Sequence, residues 1–130
     1  MLIVPISRQE LLNKRAEQAR IDEEVGNIAS RIYMGAVQAA TTTNFTSFQF
    51  AKFSCTNQGK FIRAHSSEIL NRLSYLFPDC TINYNILAFD TNLIVHDITY
   101  LDLNNLPFVI TPYLSQECIL VDWSREIVIV

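Results

Sequence analysis

Glycine and proline are scarce, 3 and 4 in a chain of 130 residues. So few of either excludes collagen-like, linker-rich and Gly-rich-loop designs. Gly26, Gly35 and Gly59 stand too far apart to form a P-loop or a dinucleotide-binding fingerprint. Cysteine is also sparse. Cys55, Cys80 and Cys118 are an odd set without CxxC spacing, which argues against a secreted disulfide scaffold. They read as small, mostly buried thiols in a reducing compartment, although one pair can still bridge if the protein is built into a particle that later meets oxidant. No uninterrupted apolar stretch approaches the roughly 20 residues that span a bilayer. The opening MLIVPI is short, lacks a basic flank and is interrupted by Pro5, so it is a poor signal peptide. An intracellular, soluble chain is expected.

Charge of each sign is missing from one half. Between Val25 and Ser67 there is no Asp or Glu, whereas Arg31, Lys52, Lys60 and Arg63 are basic. Between His65 and Ser124 the only Lys or Arg is Arg72, against Glu68, Asp79, Asp90, Asp97, Asp102, Glu117 and Asp122. Such polarity can orient head-to-tail contacts between copies or steer a partner. The plainer reading is a scatter of solvated surface charges. The net charge of −3 disfavours general nucleic-acid binding.

What is present is enough apolar residue, 49%, to drive burial in one domain. Ser7-Arg8-Gln9-Glu10 fits a helix capping box, and good helix formers follow. Ile21, Val25, Ile28, Ile32 and Ala39 recur on one helical face, with Gly35 in the seam. Leu12, Ala16 and Ala19 do not continue that stripe, because Glu23 falls where its next apolar residue belongs. The helix therefore changes partner near Ile21 or breaks there. Residues 1–20 are expected to form a charged helical arm, and 21–130 a single α+β domain.

Phe48 and Phe50 alternate with polar or small neighbours in a first strand. CTNQG reads as a turn. A second helix is expected from Lys60 to about Leu76, with Ser66 or Ser67 as an alternative start, and Pro78 stops it. Ile82, Tyr84, Ile86 and Ala88 alternate in a second strand. Asp90-Thr91-Asn92 turns the chain into a third, Leu93 to Tyr100. CILVDW reads as a buried strand, and REIVIV as a short last one. The expected fold is α+β, with the long N-terminal helix and the second helix packed on a small, mainly antiparallel sheet.

The order of these elements, with EILNRLSYLFPDC at Glu68–Cys80 and ILVDWS at Ile119–Ser124, resembles small uncharacterised proteins of large nucleocytoplasmic DNA viruses. The resemblance implies a viral product in the virion, and in host cytoplasm during assembly. It carries no catalytic residues across.

Residue chemistry offers no catalytic constellation. His65 and His96 are isolated, and His96 and Asp97 sit next to each other on one strand, so they point to opposite faces. A Cys with His96 and Asp90, Asp97 or Asp122 would need convergence over long distances, as would a metal site. Neither a metal nor another cofactor is expected, and no small-molecule substrate is evident. Trp123 shares the Val121 face of its strand and plugs the sheet end against a helix, while Asp122 or Ser124 caps the turn that follows. The leading expectation is a non-enzymatic structural, minor capsid or cementing protein that contacts other virion proteins or copies of itself. Leu11, Leu12, Gly35, Ala39 and Trp123 are its candidate contacts. The alternative is a regulatory or single-stranded nucleic-acid-binding module in which Phe48 stacks and Lys52, Lys60 and Arg63 neutralise phosphate.

Overall fold

The computed structural model describes residues 3–102, 104–111 and 114–124. The first helix, α1, runs unbroken over Arg8–Thr42, 35 residues and about 52 Å. The Ser7 side chain caps it by accepting from the Glu10 amide at 3.1 Å. Its last turn is closed by three consecutive threonines. Thr41 and Thr42 donate to the carbonyls of Val37 and Gln38, and Thr43 to that of Ala39, so carbonyls left without a helical partner are satisfied. No break occurs near Ile21. Instead the burial changes there: residues 3–20 are exposed, whereas Val25, Ile28, Ala29, Ile32 and Ala36 are buried.

Four strands follow, β1 Ser47–Phe53, β2 Thr81–Phe89, β3 Val95–Asp97 and β4 Gln116–Asp122. Their spatial order is β1-β4-β2-β3, and every pairing is antiparallel. β4, the last strand among the described residues, thus inserts between the first two. Register aligns three rows on the inner face: Phe48–Val121–Ile82, Phe50–Ile119–Tyr84 and Lys52–Glu117–Ile86. The main core joins Val25, Ile28 and Ile32 of α1 to this face through Ile62, Ile69 and Leu73. Each such fully buried side chain contributes about 1.5–3 kcal/mol. A smaller core beside it holds Ile86, Ala88 and Ile98 under Leu106, Phe108 and Ile110 of the loop before β4. The fold is α+β, with its helices packed against one sheet face.

Three details differ from the sequence expectation. The expected second helix is two, α2 Asn57–Ala64 and α3 Ser66–Leu76, which meet at His65. The supposed CTNQG turn supplies the start of α2, because Thr56 caps it by accepting from the Gly59 amide at 3.1 Å. Gly59 is required there: an added Cβ would lie 2.0 Å from the Phe53 carbonyl oxygen. The third strand is shorter than Leu93–Tyr100, since Leu93 takes a left-handed turn conformation, φ 62°, and Asp97 bonds the backbone and hydroxyl of Thr99. The expected strand REIVIV lies outside the described residues.

Candidate functional site: an exposed arm, an apolar pocket and a buried carboxylate

The N-terminal third of α1 stands clear of the domain. Leu11 and Leu12 are 53% and 39% exposed, and Ile3 and Val4 before the helix are more exposed still. Farther along the same helix Tyr33, Met34 and Val37 are also exposed apolar residues. At that end an apolar pocket of about 200 Å³ is lined by Ala36, Val37, Ala40, Phe77, Cys80 and Trp123. Its wall is built by α1, by the residues that follow α3 and by the residue that follows β4. The Tyr33 and Phe77 rings approach to 5.6 Å, and the Trp123 amide donates to the Thr46 carbonyl as β4 ends. Asp122 accepts from the Ser124 amide at 2.8 Å and closes the next turn.

The expected contact residues separate into two groups. Leu11 and Leu12 lie together on the arm, and Trp123 lines the pocket at the far end of α1. Gly35 faces inward: a Cβ there would lie 2.3 Å from the Phe48 ring, so the slim seam of the helix is filled by the chain's own first strand. Ala39 is half-buried beside it.

The basic and aromatic residues of the nucleic-acid alternative do not gather on one open face. Phe48 packs into the main core, and the Lys52 ammonium lies 5.3 Å from the Phe50 ring centre. Lys60 is exposed on α2. Arg63 is engaged by Glu117, donating through Nε to Oε1 at 3.0 Å and through Nη2 to Oε2 at 2.9 Å.

Glu117 is the residue that charge counting misplaces. It is 0% exposed, on the inner face of the central strand. The Ser54 and Tyr84 hydroxyls also donate to it, so both carboxylate oxygens are occupied. Burial pushes its carboxyl up, but the bonds from Arg63, Ser54 and Tyr84 outweigh that and hold it below its ordinary 4.5. The Tyr84 phenol is pushed up by burial and by its bond to Glu117. The cluster ties α2 to the sheet through a charged pair with full hydrogen bonding. The sequence does hold the signal: Glu117 has the strand parity of Ile119 and Val121.

The remaining reactive groups are separately engaged. His65 Nδ1 lies 2.9 Å from Glu68, and His96 Nε2 lies 2.8 Å from Asp90 with its ring stacked on Phe108. Asp97, the sequence neighbour of His96, instead accepts from Thr99 and Asn85. Burial pushes the Cys80 and Cys118 thiols up, towards the unreactive protonated form. Among the described residues no group of three or more His, Cys, Asp or Glu is placed to hold a metal ion. Among them, too, no helix is long and apolar enough to cross a membrane. Comparison with known families, curated proteins and solved structures finds no match for this chain.

Proposed function

We propose that this chain is a non-enzymatic assembly protein that acts through protein–protein contact, with the α1 arm as its docking element. The supporting observation is that Ile3, Val4, Ile6, Leu11 and Leu12 are all exposed at the start of a helix anchored in the core by its second half. An isolated helix as short as the arm is marginal in water. Here it is continued from buried turns, so it presents its apolar residues at a fixed distance from the domain. Apolar residues gathered at one end of the molecule fit a contact site better than a solvated surface does.

The setting we propose is the particle of a large DNA virus, on the resemblance carried by Glu68–Cys80 and Ile119–Ser124. A photo-crosslinking amino acid at Leu12, in protein made in its native setting, should yield an adduct with another protein molecule. An arm that captures no protein overturns the assembly reading. Mass spectrometry of purified particles tests the setting separately, and absence of the chain from them removes it.

A further inference from the structure

We propose that two copies of this chain pair through antiparallel α1 helices, so that the arm of each lies along the other's α1 and its leucines reach the pocket beside Trp123. The inference rests on the assembly reading and names the partner as a second copy.

Reach is the first argument. Leu12 and Val37 stand on one unbroken helix, about 38 Å apart. The arm therefore cannot fold back onto the pocket of its own chain, and the two apolar ends can meet only between molecules.

Spacing is the second. Leu12, Ala16, Ala19, Glu23, Gly26, Ser30, Tyr33 and Val37 succeed one another at alternating steps of four and three, the repeat of a two-helix seam. They run along the side of α1 away from the core: Gly26 is half-buried and the others are exposed. Reversing one copy sets Leu12 opposite Val37, Ala16 opposite Tyr33 and Ala19 opposite Ser30. Tyr33 then meets the small Ala16, Ala19 meets Ser30, and the two apolar ends cover each other. A parallel pairing would place the tyrosines against each other and leave each pocket without the arm.

The seam also states its own weakness. Glu23 falls opposite Gly26, beside which the Arg72 side chain of α3 lies 3.4 Å from where a Cβ would stand, so the middle of the seam is polar and held apart. Two helices overlapping by about 39 Å at a width near 10 Å bury on the order of 800 Å² in total, below the usual size of a stable interface. The pair is accordingly a weak, reversible dimer, closed by its two-fold axis and not extended into a chain.

Sedimentation of the full-length chain from about 1 to about 200 µM tests this. The 14.9 kDa mass should double with concentration. Leu12→Glu and Val37→Glu should each weaken the dimer by about tenfold or more, with circular dichroism and melting unchanged. In a background with Cys55→Ser and Cys80→Ser, since Cys80 itself lines the pocket, mild oxidation should link Leu12→Cys chains to Val37→Cys chains but not Leu12→Cys chains to each other. Species larger than a dimer, a Leu12–Leu12 link, or a dimer indifferent to Val37→Glu overturns the pairing. A chain that stays monomeric while the Leu12 crosslinker still captures a different protein overturns the second-copy partner and leaves the assembly reading standing. A monomer whose arm captures nothing overturns both.

Discussion

Replacing Glu117 by alanine removes a side chain that is 0% exposed and accepts from Arg63, Ser54 and Tyr84. Its partners do not suffer equally. The Arg63 side chain is 42% exposed and can turn to water, so little of the cost falls on it. The Ser54 and Tyr84 hydroxyls are left beneath α2 with no acceptor, at about 1–3 kcal/mol each. Together these give about 2–6 kcal/mol, centred on the roughly 3–5 kcal/mol for breaking a buried pair by deleting one member. A domain of this size has about 5–15 kcal/mol in all. Urea unfolding followed by the single tryptophan, Trp123, should show a midpoint lowered by about 2–3 M, for a slope near 1.5 kcal/mol per M. The pH dependence provides a second readout. Because the folded carboxyl lies below its ordinary 4.5, its stabilisation is present above that value and is lost as pH falls through the folded pKa. In Glu117→Gln that acid loss should disappear. In Arg63→Met the acid loss should shrink, because burial then opposes the Ser54 and Tyr84 bonds alone. A Glu117→Ala midpoint within about 0.5 M of the parent's, or an unchanged acid limb in Glu117→Gln, refutes this account of the cluster.

Gly59→Ala should destabilise more than Gly35→Ala, because its Cβ meets the Phe53 backbone at 2.0 Å whereas the Gly35 Cβ meets a ring that can shift; paired urea curves decide the order. Ser7→Ala should fray the arm and reduce far-UV helicity while leaving the tryptophan-detected midpoint within about 0.5 kcal/mol of the parent, since the first turns of α1 are exposed and pack on none of the other described residues; an equal fall in both signals contradicts the arm's independence. The bond from His96, with backbone bonds from Ile94 and Asn92, holds the Asp90 carboxyl below its ordinary value. Its share of stability is present above the unfolded pKa and lost as pH falls through the folded one, so Asp90→Asn should flatten that part of the acid limb, as read by unfolding at stepped pH.

The α1 stripe was legible because its apolar spacing matches the helical period, and the Ser7 cap because its chemistry is local. β1 and β2 were legible by alternation. The division between α2 and α3 was not, because Asn57 to Gly59 are turn-forming residues in isolation and become helical only under the Thr56 cap and against the end of β1. Gly35 looked open to any neighbour, and it is Phe48 of the same chain that fills the gap.

Local sequence thus set the helical and strand periods, the caps, and the faces that had to be buried, since each depends on neighbours within a few residues. Tertiary structure alone decided that β4 lies between β1 and β2, that Glu117 is a buried acceptor and not a surface charge, and that Arg63 answers it. Those outcomes depend on partners more than fifty residues away in the chain for Arg63 and Ser54, separations of 54 and 63, and a short-range pattern carries no information about such distances.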